Sequence, residues 1–121
     1  MPVKRKSKAA EARSAVRGHW RVESTSLWDD EALHLLGLPY LKLRANGLGD
    51  LQVGALEADI DWQVRVMGDL PVVDFTFEGS DDGTPVCGRG SMNIEGDHLQ
   101  GQLFIHRGET STIIARRLSR R

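Results

Sequence analysis

The stretch Leu56–Met67, LEADIDWQVRVM, decides how the rest of the chain is interpreted. Its apolar residues occupy every second position, including Ile60 and Trp62, and charged or polar residues such as Glu57 fill the positions between them. Alternation with a period of two is typical of a strand with one buried face and one solvated face, whereas a helix would scatter the same residues around its circumference. We therefore expect a long strand whose charged face points outward.

Similar alternation recurs on both sides of this stretch, between short polar turns. Asn46-Gly47 is the clearest turn, because both residues tolerate the positive φ angles of a tight hairpin. The predicted strands are residues 18–28, 40–45, 47–56, 56–67, 71–79, 86–96, 98–108 and 110–118. Short connections favour pairing between sequence neighbours, so we predict an all-β, eight-stranded antiparallel up-and-down barrel, with a two-sheet sandwich as the alternative.

One short helix is predicted after the first strand, within residues 29–37. Asp29 and Asp30 are suitable helix-capping residues, and Gly37 is a suitable stop. The apolar residues between them would close one end of the barrel.

Charge is segregated along the chain. Residues 1–17 contain six basic residues and one acidic residue, residues 116–121 contain four arginines, and residues 18–115 contain six basic and 16 acidic residues. The only large apolar residues before Gly18 are Val3 and Val16, so residues 1–17 are expected to form a disordered or marginally helical basic tail, followed by a single barrel domain at 18–118. Basic ends of this kind are either solvated or contact phosphate on nucleic acid or a ribonucleoprotein.

The sequence favours a soluble, cytoplasmic protein. No apolar run is long enough for a secretory signal or a membrane-spanning helix. Cys87 is the single cysteine, which excludes an intrachain disulfide and a multi-cysteine zinc site and fits a reducing compartment.

Both ends of the predicted barrel carry a recognisable signal. Gly18-His19-Trp20 opens the first strand, and Arg116 and Arg117 end the last. This layout resembles the calycin and lipocalin-like barrels, which begin with a Gly-x-Trp strand and carry a late arginine that stacks on the tryptophan. The resemblance implies a lipocalin-like fold and a cation–π contact at one end of the barrel.

A second resemblance, to small uncharacterised bacterial proteins, covers residues 18–117. It is carried by Gly18-x-Trp20, Gly47-x-Gly49, Gln52-Val53-Gly54-Ala55, Phe75-Thr76-Phe77-Glu78-Gly79 with Asp81, Gly88-Arg89-Gly90, and His106-Arg107-Gly108 with Ser111. It implies a bacterial origin and the same fold, and no activity.

Signals for catalysis are sparse. There is no Gly-x-Ser-x-Gly elbow and no His-x-x-x-His pair, and the spacing of Cys87 and the four histidines implies no Cys–His pairing. We therefore assign no catalytic residue, metal site or cofactor. His106, on a late strand, is the residue we would choose as a haem ligand if the barrel bound one.

The inward aromatic residues allow two interpretations. Trp20, Trp62, Phe75 and Phe77 either pack into a filled core or line a ligand-binding interior, with Arg89 and His106 near its rim.

Arg89 lies among acidic residues in the sequence. We expect it to form a structural salt bridge with Glu78 or Asp81; the alternative is that it orients an anionic ligand.

The carboxylates form the most suggestive set. Glu57, Asp59 and Asp61 share one face of a predicted strand, and Asp74 and Glu78 share one face of the next. If the two strands pair, these residues form an acidic outer wall, which is either simply solvated or docks a basic partner.

Together these features predict a non-enzymatic binding protein that holds a small apolar ligand in the barrel or a protein partner on its acidic wall. One alternative is an adaptor whose basic tails contact nucleic acid or a ribonucleoprotein. A second is a small-barrel enzyme or a haem-binding protein.

Overall fold

The computed structural model describes residues 8–120, which contain two helices and eight strands. In chain order these elements are α1 (Lys8–Val16), β1 (Gly18–Thr25), α2 (Asp30–Leu33), β2 (Tyr40–Leu43), β3 (Leu48–Val53), β4 (Leu56–Met67), β5 (Leu70–Asp81), β6 (Thr84–Glu95), β7 (His98–Ile105) and β8 (Thr110–Ser119). Neither helix has the length and hydropathy that a membrane-crossing helix requires, in the part of the chain that the structure describes.

The eight strands form a closed antiparallel barrel in which each strand pairs with the next and β8 pairs with β1. The all-β, up-and-down prediction is therefore confirmed, and the two-sheet sandwich is wrong. The stretch at 56–67 is a strand along its whole length and pairs with β5 from Leu56↔Asp81 to Met67↔Leu70. Closure gives every strand two neighbours, so the sheet has no edge strand.

Alternate residues of each strand fill the interior, as an eight-stranded barrel permits. The tryptophan and phenylalanine rings are accommodated because β6 is rich in glycine. Gly88 pairs with Phe77, and a Cβ atom on Gly88 would lie 2.6 Å from Cζ of Phe77. Gly90 pairs with Phe75 in the same way, and that ring also occupies the space of a side chain. The glycines of β6 therefore provide room for the rings that fill the core.

Helix α1 corrects the expected disorder of the N-terminal segment, at least for residues 8–17. Ala12 and Val16, four positions apart, are 4% and 0% exposed, and Val16 joins the main core. Two guanidinium–indole contacts strengthen this docking: Arg117 lies 4.2 Å from the ring centroid of Trp20, and Arg13 lies 4.4 Å from that of Trp62. Residues 1–7, the rest of the predicted tail, lie outside the described residues.

The end of the barrel at Trp20 is held by further polar contacts. Nε1 of Trp20 donates to the carbonyl of Val16 at 2.9 Å, and Arg117 donates to the carbonyls of Arg17 and Ala15. The last strand, the first strand and the end of α1 are thereby joined around one indole ring. The arginine–tryptophan contact expected from the Gly-x-Trp layout is confirmed.

A short helix after β1 is also present, but it is shorter than predicted. The carboxylate of Asp29 caps it by accepting from the Ala32 backbone N–H at 2.8 Å, and Leu33 is buried. The helix ends after about one turn, so Leu35 and Leu36 do not continue an apolar stripe and are 67% and 47% exposed.

The join between β3 and β4 is a tight turn at Gly54-Ala55. Gly54 adopts a φ of +59°, and a Cβ atom there would lie 2.6 Å from the ring of Trp28. Only glycine satisfies both the left-handed backbone and the close approach of the indole. This turn allows β4 to begin at Leu56, next to β3.

Candidate binding groove on the acidic outer wall

Carboxylates line up across three neighbouring strands on the outside of the barrel. Asp50 of β3 pairs in register with Asp59 of β4, and Asp59 pairs with Glu78 of β5. Like charges directly opposite one another destabilise a sheet, by about 0.2–1 kcal/mol per pair. Glu57 and Asp61 flank Asp59 on the same face of β4 and extend the acidic surface. The wall predicted from alternation is therefore present.

Two members of this surface are neutralised by arginine. Nη1 of Arg44 lies 2.7 Å from Oδ2 of Asp50, and Nε of Arg65 lies 2.6 Å from Oδ2 of Asp74. Among residues 8–120, the carboxylates of the other four form no ion pair; these are Glu57, Asp59, Asp61 and Glu78. These four carboxylates are therefore free of direct ion pairs within the described residues, and Arg89 and Arg107 are the cations that share a concavity with three of them.

The neighbouring side chains respond to this charge. Burial raises the pKa of Tyr40, and the carboxylates of Asp50 and Glu57 raise it further. Burial also raises the pKa of Asp74, but hydrogen bonds from Arg65 and Ser91 outweigh it and hold that pKa below its usual value. Carboxylates therefore act on Tyr40, and Arg65 and Ser91 compensate the charge of Asp74.

The acidic wall contains an open groove of about 910 Å³. Asp59, Asp61 and Glu78 contribute carboxylates, while Leu48 and Phe104 contribute apolar surface. Its other contributors are Ile60, Thr76, Phe77, Cys87, Gly88, Arg89, Ile105, His106, Arg107, Gly108 and Thr110. A smaller groove of about 340 Å³ shares Asp61, Thr76, Arg89 and Phe104 with it and continues toward Asp74. We refer to the larger concavity as the acidic groove.

Arg89 lies on the outer wall at this groove. Its guanidinium is 4.7 Å from the ring centroid of Phe104, which is its partner in register on β7. The expected salt bridge to Glu78 or Asp81 is wrong: Arg89 pairs with Thr76 on β5, and within the described chain it forms no ion pair with either carboxylate. Arg89 and Phe104 instead form a ridge between the two grooves.

His106 also faces the acidic groove, and the structure places it beside Cys87. The His106 backbone N–H donates to the Cys87 carbonyl at 2.8 Å, and Glu78 pairs with Cys87 on the other side. Sequence spacing gave no hint of this neighbourhood, because only the β6–β7 register creates it. Within residues 8–120, no group of three or more His, Cys, Asp or Glu side chains is arranged to hold a metal ion.

The four aromatic residues that the sequence assigned to the interior are all in the core. Trp20, Trp62, Phe75 and Phe77 are 0%, 1%, 3% and 2% exposed. Nε1 of Trp62 donates to the carbonyls of Arg44 and Leu48 at 3.0 and 3.1 Å, so its polar atom is satisfied by backbone. The six predicted site residues therefore separate into four core residues and two groove residues, Arg89 and His106.

Comparison with known proteins adds no assignment. No protein-family model matches the chain, and no curated protein matches it. The functional interpretation therefore depends on the geometry of the barrel wall.

Proposed function

We propose that this protein is a non-enzymatic binding module whose acidic groove receives a cation-rich segment of a partner protein. The observation that carries the proposal is the set of four carboxylates without an ion pair in the described chain, three of which lie in the groove: Asp59, Asp61 and Glu78.

The energetics of the wall support a cationic occupant. Asp59 and Glu78 face each other directly, so their repulsion is a cost in the free protein. Lysine or arginine side chains of a partner would relieve this repulsion and form charge-assisted hydrogen bonds with the carboxylates. Complementary charge would also accelerate the encounter and make it sensitive to salt.

The shape of the groove supports a peptide segment. Leu48 is 51% exposed at its edge, and the ring of Phe104 lies on its far side, so apolar contacts can accompany the ionic ones. Because every strand of the closed barrel already has two neighbours, we expect a partner to be recognised mainly through side chains. We therefore expect a segment in which basic residues are interspersed with small or apolar ones.

The packed core makes the outer groove a better candidate than an apolar ligand inside the barrel. The rings of Trp20, Trp62, Phe75 and Phe77 fill the interior of the barrel, together with leucine, isoleucine and methionine side chains. A lipocalin-like relationship and a bacterial, cytoplasmic origin stay predictions; the Gly18-x-Trp20 start and the Arg117–Trp20 contact support the first.

Fluorescence anisotropy with synthetic peptides tests the proposal. The probe is a fluorescein-labelled peptide in which arginine alternates with alanine, and the comparison peptide has glutamate in place of arginine. We expect the triple variant Asp59→Asn, Asp61→Asn, Glu78→Gln to bind the arginine peptide about tenfold more weakly than the native chain, a loss of about 1.4 kcal/mol.

A matched control separates the groove from net charge. Glu31→Gln, Asp69→Asn and Asp82→Asn together also remove three negative charges, at exposed positions outside the groove. This control should change the affinity less than twofold. Equal weakening by both triple variants, or equal binding of the glutamate peptide, would contradict a specific acidic groove.

A further inference from the structure

A basic surface lies on the outer face of β8, β1 and β2. Arg21 of β1 pairs in register with Arg116 of β8, and His19 of β1 pairs with Lys42 of β2. Four groups that are cationic or can become so thus occupy adjacent outward positions on three strands. We call His19, Arg21, Lys42 and Arg116 the basic face.

The charges of the basic face are partly compensated, since Lys42 pairs in register with Asp50, whose carboxylate is bound by Arg44. Arg116 shares the carboxylate of Glu23 with His98, at 3.3 and 2.9 Å. Arg21 and Lys42 form no ion pair with any residue from 8 to 120, and Nε of Arg21 is shielded from solvent without a hydrogen-bond partner. A shielded guanidinium nitrogen of this kind is costly unless an external acceptor reaches the group.

The pKa of His19 reflects the burial and the positive charges around its ring. Burial lowers the pKa of His19, and the nearby cations Lys42 and Arg21 lower it further. The ring of Tyr40 packs edge-on against His19, with the two ring centroids 5.6 Å apart. The His19 ring therefore lies beside the cations of the basic face, while Tyr40 lies at its border with Asp50 and Glu57.

This surface borders the acidic wall on one side, where Lys42 pairs in register with Asp50, and extends away from it through β1 and β8. In the closed ring of eight strands, β1 lies across the barrel from β5, which carries Glu78. Further basic residues adjoin the face: Arg17 immediately precedes β1, and the Cα of Arg120 lies 3.1 Å from the position of a Cβ on Gly18. The negative net charge of the barrel sequence is therefore unevenly distributed in space.

We infer that the basic face binds the sugar–phosphate backbone of a single-stranded nucleic acid. Neighbouring strands are about 4.8 Å apart, so the backbones at Arg116 and Lys42, two strands apart, are separated by about 10 Å. A row of cations of that width can contact more than one phosphate of an extended strand, whereas a single phosphate ion would contact only part of it. His19 offers a ring to a base beside the cationic groups, and rings next to cations characterise surfaces that bind single strands.

The inference differs from contact through disordered basic tails alone. It assigns the interaction to residues on the barrel itself, with Arg21 and Lys42 as its centre. It is also independent of the acidic groove, since the two surfaces share no residue.

The test measures anisotropy of a fluorescein-labelled oligouridylate of about twenty nucleotides over a range of salt concentrations. In the full-length chain, Arg21→Gln with Lys42→Gln should weaken binding at least tenfold and reduce the slope of log K against log salt by about 1.4, since each phosphate contact contributes about 0.7 on single strands. The matched control, Lys8→Gln with Arg65→Gln, removes two positive charges that pair with Asp69 and Asp74, and it should leave the slope unchanged.

Two further measurements, with a tail variant and with a competitor peptide, distinguish the basic face from other binding sites. The full-length triple variant Lys4→Gln, Arg5→Gln, Lys6→Gln should retain most of its binding to the oligouridylate. A polyglutamate peptide should compete only weakly with the oligouridylate. Lys42→Gln alone serves if the double variant does not fold, and it should reduce the slope by about 0.7. The inference is overturned if the oligouridylate does not bind at low salt. It is equally overturned if only the Lys4–Lys6 variant loses binding, or if polyglutamate competes as well as nucleic acid, which would indicate an acidic protein partner.

Discussion

The two faces of β5 differ in what their side chains touch. Phe75 and Phe77 point inward and are 3% and 2% exposed, whereas Thr76 and Glu78, on the alternate positions, face the acidic groove. One strand therefore contributes to stability through one face and to the proposed binding surface through the other. Substitutions at adjacent positions should separate these contributions, because side chains on opposite faces of a sheet share few contacts.

Replacement of Phe77 gives the largest expected effect. Phe77→Ala should lower the free energy of unfolding by about 3–5 kcal/mol, because it removes a buried ring and leaves a cavity over Gly88. Glu78→Ala, one residue away and exposed, should change it by less than about 0.5 kcal/mol. Urea denaturation followed by tryptophan fluorescence measures both. A loss below about 1.5 kcal/mol for Phe77→Ala would show that the interior is loosely filled. It would then favour an apolar ligand inside the barrel.

Two consecutive arginines near the end of β8 allow the same comparison between an inward and an outward side chain. The expected losses of stability are of intermediate size. Arg117 faces inward over Trp20 and donates to two backbone carbonyls, while Arg116 faces outward and pairs with Glu23. Arg117→Ala should cost about 2 kcal/mol, from the cation–π contact and the charged hydrogen bonds. Arg116→Ala should cost under about 1 kcal/mol, as an exposed ion pair does. Equal thermal denaturation midpoints for the two variants would refute this assignment.

The smallest expected change in stability comes from Asp74 on the outer face of β5, and it depends on pH. The pKa of Asp74 is held below its ordinary value, so its ionised form stabilises the fold. This contribution is fully present above the unfolded-state pKa and is lost as the pH falls through the lower, folded-state pKa. Because the pair with Arg65 is half exposed, Asp74→Asn should cost less than about 0.5 kcal/mol at neutral pH.

The difference between native and Asp74→Asn stability should therefore shrink toward zero in acid. Urea denaturation of both chains at neutral pH and at several values below about 4 measures it. A difference that grows as the pH falls would have the wrong sign for a carboxylate with a lowered pKa.

The β-strands were predictable because alternation is a local property that burial enforces directly. Leu56–Met67 could be assigned from its pattern alone, and its outward acids followed from the same pattern. The turn between β3 and β4 is equally local, because only Gly54 and Ala55 lie between the two strands. In each case the information lies within a few residues of the chain.

The errors share a different cause. Helix α1 is poor in large apolar residues, and its docking depends on Trp62 and Arg117, which are distant in sequence. The position of Arg89 over Phe104 and the proximity of Cys87 and His106 depend on the β6–β7 register. No local pattern reports a pairing between strands, so these contacts could not be found in the sequence.

The sequence by itself determined the strands, their order and the face of each strand that would be charged, because the two-residue period of a strand converts an alternating pattern directly into an inside and an outside. The packing of the interior, the docking of α1 on one end, and the border between the acidic wall and the basic face at Lys42 and Asp50 follow only from the folded chain. The physical reason is that closure and register bring together side chains from strands far apart in the chain, and charge and shape at a surface exist only after those strands are placed.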